Sequence, residues 1–369
     1  MFVYTGDYFK RQNNITKTIY YTFTPRPLSE NNFYSPDDEF NDLLINAYKE
    51  LGILEGMSLY FPNQDIFQEF MLLKESYYSH RIDYADIDFI LLLTDRGTGK
   101  NTEKIQNIIS AYELAFTKKI ILMDFNIICS AAIYGSKSKQ KVFIRNEPLF
   151  FYKTMTNLRQ YNPTAPEQIN AALKDMTQFF NDDKTNVLIK AALLHYQFEM
   201  IHPFLSFNGI VGRILIYKIL YDAQLNAVRY MSLSEYLYHN KDEYFEKLSS
   251  TQKDGNYLRW IKFILNAITK SAKYSIEQIN DYEKIIKKDE VKINACAETT
   301  VKTIEVYHYF KKYLFSNVKH LSDELHIAYN TASTAIQLLL SLGILEQSST
   351  GSRNRIFVYS ELSNLFLNA

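Results

Sequence analysis

Apolar positions recur at spacings of three and four from residue 37 onward, a rhythm that predicts helices near 37–52, 64–80 and 86–94 and helical runs through 103–134. It returns at 166–181, 186–201, 209–222, 232–250 and 256–288. Two of these segments have no polar face. "NVLIKAALLHYQFEMI" and "GIVGRILIYKILY" are apolar around nearly the whole circumference, which places them at the centre of a domain. Residues 1–35, with their "TFTPRPLSE", read as an irregular, extended lead-in. "GSKSKQKVFIRNE" breaks the helices with a polar turn and a short β-like run, Val142 to Arg145. The charged "EKIIKKDEVKINACAE" reads as a helix end and linker. Beyond it come a short helix, a turn, a second helix and two strands around a Ser/Gly turn, the order of a winged helix-turn-helix. The expected fold is mostly α, with a small β-hairpin and that C-terminal module.

The 41 basic and 41 acidic residues cancel, so any pull on nucleic acid or membrane must come from a local patch. Cys129 and Cys296 lie far apart, which fits a reducing compartment better than a disulfide framework. The N-terminus lacks the basic start and apolar run of a signal peptide, and the longest apolar stretch is broken by Asp124 and Asn126. A soluble cytoplasmic protein is expected. The 29 Tyr and 25 Phe are scattered through helical patterns, as core residues are, and do not group with Lys and Arg. "DRGTGKNT" departs from a phosphate-binding loop, because Thr94 stands where its first Gly belongs and Asn101 where Ser or Thr is needed.

Chemistry concentrates between the two all-apolar helices, in "IHPFLSFNGIVGR" at 201–213. Pro203 biases His202 out of the α region and ends the first helix. Asn208 and Gly209 open the second, with Arg213 just past its first turn. Free N–H groups and the helix dipole attract anions to such a terminus, phosphate above all. His202 has the ordinary titration range of a general base, or is a histidine hydrogen-bonded at a helix end. Asn208 reads as an N-cap or as a side chain facing a ligand. His195, Glu199 and His202 share a helix face, yet no second Glu-x-x-His completes a di-metal site in the core, so bracing hydrogen bonds are the expectation for His195 and Glu199.

"HPFLSFNGIVGR" resembles, in register and without a gap, the signature His-Pro-Phe-x-(Asp/Glu)-Gly-Asn-Gly-Arg-x-x-Arg of Fic (filamentation-induced-by-cAMP) domains. "AALLHYQFEMIHPF" looks like the preceding helix of that family, and "LSEYLYHNKDEYFEKLSSTQKDGNYLRWIKFIL" like the following ones. "YSHRIDYADID" resembles its inhibitory Ser-x-x-Ile-Glu-Gly segment. The resemblance implies an N-terminal extension over 1–96, a Fic core over 97–288, and a linker with the winged helix over 289–369. It implies AMP transfer from ATP, with Mg²⁺, to a protein hydroxyl, on an unknown target or on the chain itself. His202 would be the base, while Asn208, Gly209 and Arg213 would hold phosphate. Tyr244, Phe245, Leu248 and Gln252 resemble the adenine pocket, or pack their helix. Asp83, followed by Tyr84 where that segment has Gly, would stand in the position of the inhibitory Glu and pair with Arg213, or is a solvated carboxylate. "GSKSKQKVFIRNE" falls where the family's flap lies, or is an ordinary surface hairpin.

Three positions depart from the signature. Ser206 replaces the acidic Mg²⁺ ligand, which makes binding of that ion doubtful. Phe207 replaces the first Gly, at a strain of about 1 to 3 kcal/mol if the turn keeps a positive φ. Ile210 replaces the first Arg and forgoes about 1.5 to 3 kcal/mol of charge-assisted contact. A weakened transferase is the first expectation. The alternative is a non-catalytic scaffold that binds nucleotide and regulates transcription, with Asn330 and Gln337 reading bases and Arg353 and Arg355 contacting phosphates. A protein-docking role for the module and a homodimer also stand open.

Overall fold

The structure is a computed structural model that describes residues 5–12, 17, 19–28, 34–84, 87, 100–117, 124–150, 162–181, 184–348 and 355–367. The elements are β1 (Gly6–Gln12), β2 (Ile19–Pro25), α1 (Asp38–Tyr60), α2 (Gln64–Asp83), α3 (Lys100–Ala115), α4 (Phe125–Tyr134), α5 (Pro166–Phe180), α6 (Val187–Ile201) and α7 (Asn208–Asp222). There follow a 3₁₀ turn at Asn226–Tyr230, α8 (Leu233–His239), α9 (Lys241–Asp254), α10 (Tyr257–Ala295), α11 (Val301–Tyr313), β3 (Phe315–Ser316), α12 (Val318–Glu324), α13 (Tyr329–Ser341), β4 (Glu346–Gln347), β5 (Phe357–Val358) and α14 (Ser360–Leu367). The mostly α expectation holds. The helix expected at 86–94, apart from Ile87, and the loop "DRGTGKNT", apart from its end at Lys100–Thr102, lie outside the described residues.

The chain divides into two compact units, one of residues 1–60, 71–86 and 104–273, the other of 61–70, 87–103 and 274–369. In the first, α6 and α7 form the central pair, and every residue from Leu188 to Ile201 is buried, as their all-round apolar sequences require. Gly212 lets the two helices close up: a Cβ there would sit 3.0 Å from both Glu199 Oε1 and His195 Nδ1. In the second unit, α11, α12 and α13 accompany an antiparallel three-stranded sheet of order β3-β5-β4, whose first strand lies between α11 and α12.

Four expectations need correction. The lead-in is not irregular: β1 and β2 pair antiparallel from Gly6↔Pro25 to Gln12↔Ile19, with Phe23 fully buried and its N–H donated to Asn162 O. Val142–Arg145 is not a strand, because its N–H groups are spent elsewhere, Val142 on Ser130 Oγ and Arg145 on Pro203 O. The charged linker is helix: α10 runs to Ala295, since Ile285, Ile286 and Ile293 keep its buried stripe going. The run expected at 232–250 is two helices, parted at Asn240, whose side chain donates to Tyr236 O.

The C-terminal half of α2 is buried and tied down, although its sequence, "KESYYSH", is largely polar. Glu75 accepts hydrogen bonds from Tyr112 Oη (2.6 Å), the Ser234 N–H (2.7 Å), Ser234 Oγ (2.5 Å) and Ser232 Oγ (3.3 Å). Lys74 pairs with Glu235 at 2.8 Å, both side chains nearly inaccessible. These buried, paired charges fix the rotation and height of α2 against α8. That matters because the next turn of α2 carries Ser79 and Asp83.

Candidate active site

The loop between α6 and α7 is shaped by two left-handed residues. His202 caps α6 at φ 50, its N–H donated to Phe198 O, and Phe207 opens α7 at φ 65. The strain foreseen for a bulky residue at that turn, about 1 to 3 kcal/mol, is therefore carried. Asn208 is not the N-cap: it is the first helical residue, and its amide faces back into the loop, accepting from the Phe204 N–H and donating to Phe204 O at 2.8 Å each. One side chain thus closes the loop as a backbone pair would.

Arg213 is fully buried. Its Nε donates to Ser79 Oγ (2.9 Å), and its Nη2 to Ser79 O and Asp83 Oδ2 (2.7 Å each). Burial opposes the charge, but the Asp83 carboxylate outweighs that and holds the guanidinium above its ordinary range. The same carboxylate lies over the first turn of α7, where a Cβ on Gly209 would collide with it. Arg213 Nη1, close to Gly209, has no hydrogen-bond partner among the described residues. Asp83 therefore occupies the position that an anion's oxygen would take at a helix N-terminus beside a guanidinium.

Two of the unusual residues touch each other. Phe207 donates its N–H to Tyr84 Oη at 2.9 Å, and the two rings lie 5.1 Å apart. Tyr84 also packs on His80, ring centroids 5.1 Å apart. Burial raises the Tyr84 phenol above its usual range. Sequence reasoning noted both bulky substitutions and missed their contact; the available signal was that two glycines, one in each motif, had both become aromatic.

His202 is buried, its Nδ1 3.3 Å from Glu199 O and 3.7 Å from Glu199 Oε2. Both partners are acceptors, so in the neutral ring Nδ1 carries the proton and Nε2 is the basic nitrogen. His195 is bonded through Nε2 to Tyr244 Oη at 2.8 Å, and among the described residues no cluster of three or more His, Cys, Asp or Glu is arranged to hold a metal. Tyr244, Phe245, Leu248 and Gln252 are all buried along one stripe of α9. Tyr244 also packs in a cluster with Trp260 and Phe263. Gln252 Nε2 is without a hydrogen-bond partner among the described residues. Ser206 is exposed, its carbonyl 3.9 Å from Cys129 Sγ, and Ile210 is fully buried. Asn330 and Gln337 are exposed on α13 and Arg355 is exposed before β5, while Arg353 lies outside the described residues.

Two of the buried histidines, His80 and His195, make stability pH-dependent. Burial, with Lys104 nearby, pulls His80 down to about 4, and burial, with Arg213 nearby, pulls His195 down to about 3. Between the unfolded value near 6.5 and those folded values, the unfolded chain binds more protons, so stability is fully present above pH 6.5 and is lost as pH falls. The expected slope is up to about 1.4 kcal/mol per pH unit for each histidine. Denaturant midpoints from pH 7 to 5 measure it, and His80→Phe should reduce the slope.

The fold and this loop define a helical protein with a His…Arg turn between its two central helices. The model of the Fic/DOC family matches residues 122–220, so the chain carries a Fic domain over that stretch. A protein adenylyltransferase, fic-1, of Caenorhabditis briggsae is 33% identical over 70 residues, 18% of this chain and 14% of that protein. A probable protein adenylyltransferase of Aquifex aeolicus is 32% identical over 79 residues, 21% of this chain and 25% of that protein. The matched stretch thus spans a quarter or less of either relative. A Fic family protein of Desulfovibrio desulfuricans shares the fold, with a TM-score of 0.59 at 13% identity over 88% of this chain and 97% of that one. Among the described residues no helix is long and apolar enough to cross a membrane.

Proposed function

We propose that this chain is a Fic-type protein nucleotidyltransferase whose phosphate site is held shut by its own α2. The observation that carries the reading is Arg213: a fully buried guanidinium at the first turns of α7, paired with a carboxylate that takes a phosphate oxygen's place. In the proposed reaction His202 Nε2 accepts the proton of an acceptor hydroxyl. That oxygen bonds to the α-phosphorus of ATP, the bond to the β-phosphate oxygen breaks, and pyrophosphate leaves. Arg213, released from Asp83, and the first-turn N–H groups of α7 stabilise the charge on the phosphates. Asn208 keeps the loop closed while this happens.

The residues fit the anion and do not fit Mg²⁺. The position that would supply a carboxylate supplies the exposed hydroxyl of Ser206, so no step is drawn through the ion. Incubating the full chain with α-labelled ATP tests the reading. Slow self-labelling is expected, lost in His202→Ala; equal label in both proteins, or none even after Asp83 is removed, would sink it.

The second reading concerns the C-terminal unit, whose element order is that of a winged helix. A groove of about 520 Å³ runs along α13, lined by Thr300, Thr303, Asn330, Thr334 and Gln337, and its one charge is the acidic Glu298. Phosphate contacts need cations, and among the described residues that line this groove there is none. A gel-shift titration of the full chain is therefore expected to show no retarded duplex even at low salt, which favours protein docking. A band that fades with salt and with Arg355→Ala would establish DNA binding instead.

A further inference from the structure

Arg145 is 4% exposed, and every hydrogen bond of its guanidinium goes to a backbone carbonyl. Nε donates to His202 O (2.8 Å), Nη1 to Glu147 O (2.9 Å), and Nη2 to Thr164 O and to Ile201 O (3.3 Å). Its own N–H donates to Pro203 O at 2.9 Å. Three consecutive carbonyls, 201 to 203, are thereby held by one residue that is 56 or more positions away in sequence. Ile201 O is an orphaned carbonyl at the negative end of α6, where a cation is favoured, and the other two belong to the C-cap and the residue after it. Between them sits His202 in the left-handed region, a conformation that a residue other than glycine keeps only when its surroundings impose it.

We infer that Arg145 is a positioning residue that fixes which nitrogen of His202 is basic. The inference rests on reading His202 as the base. With the carbonyls of 201 to 203 pinned, the imidazole is turned back onto its own helix, so that Nδ1 meets Glu199 O at 3.3 Å and Nε2 is left as the basic nitrogen. Thr164, whose carbonyl Arg145 also holds, ties the same corner to β2 through its hydroxyl, 3.1 Å from Phe23 O. Burial lowers the guanidinium to about 10, so it remains a cation at neutral pH. Lysine cannot replace it in full, because an ammonium has three donors on a flexible stem where the guanidinium has five in a fixed fork.

The test reads the tautomer directly in the full chain. Histidine ring nitrogens are labelled with ¹⁵N, the His202 signals are assigned by their loss in His202→Ala, and spectra are taken with the ring neutral. Wild type should show the Nδ1–H form. In Arg145→Lys and Arg145→Met the minor tautomer should rise by about fivefold or more, while His195, held by Tyr244, keeps its pattern. A folded variant with unmoved His202 signals overturns the inference, whatever its melting temperature, because lost stability alone is what a merely structural arginine predicts. If Arg145→Met does not fold, the lysine variant, which keeps the charge, decides. No nucleotide enters the measurement, so its outcome is separate from whether the chain transfers AMP.

Discussion

Asp83→Ala is expected to tighten ATP binding by about 10- to 100-fold, equivalent to about 1.4 to 2.8 kcal/mol. In the wild-type chain the incoming polyphosphate must displace a carboxylate 2.7 Å from Arg213 Nη2, and its apparent affinity is reduced by the fraction of time that pair is closed. Removing the carboxylate opens the first turn of α7, where the Asp83 oxygen stands against Gly209. The same change has an opposite effect without nucleotide. Arg213 is fully buried and, among the described residues, would keep only Ser79 as hydrogen-bond partner, so the empty variant should lose on the order of 2 kcal/mol or more of stability. Isothermal titration and thermal melts check both halves: a lower melting point without ATP, and a larger rise than wild type on adding it. Arg213→Ala should weaken binding. Equal ATP affinity in wild type and Asp83→Ala would remove the carboxylate from the site.

The central helices were legible because their chemistry is local. A helix that is apolar all round has one place to go, and α6 and α7 went there with nearly every residue buried. The His…Arg loop was legible for the opposite reason, since polar residues between two such helices must find partners. What the sequence hid were contacts made across distance. Ser79, Asp83 and Tyr84 reach the loop from more than 120 positions upstream, and their arrival depends on Glu75 and Lys74 fixing α2 against α8. Arg145 read as part of a strand because Val142–Arg145 alternates like one; nothing local says that its N–H and guanidinium serve the end of α6. Asn208 read as an N-cap, the common use of Asn before a helix, or as a side chain facing a ligand. The turn took Phe207 as its left-handed residue and released the amide to close the loop.

Returning the family residues at four of the altered positions, Tyr84→Gly with Ser206→Asp, Phe207→Gly and Ile210→Arg, is expected to raise self-labelling about a hundredfold or more over wild type. The three signature changes without Tyr84→Gly should give clearly less. Phe207 donates its N–H to the Tyr84 hydroxyl, so a glycine at 207 relieves the left-handed strain and removes the ring contact but leaves that hydroxyl over the donor. Glycine at 84 frees the N–H for a phosphate oxygen, a charge-assisted bond worth about 1.5 to 3 kcal/mol. Ile210 is fully buried, so an arginine there is costly until an anion arrives to neutralise it. The variant should therefore melt early when empty and be raised strongly by ATP. Ser206→Asp adds the missing carboxylate, and labelling should then become sensitive to chelation of Mg²⁺. His202→Ala in the same background should return the label to nothing. A folded, ATP-binding fourfold variant that transfers no AMP would show that the base, not the phosphate cradle, is what this chain has lost.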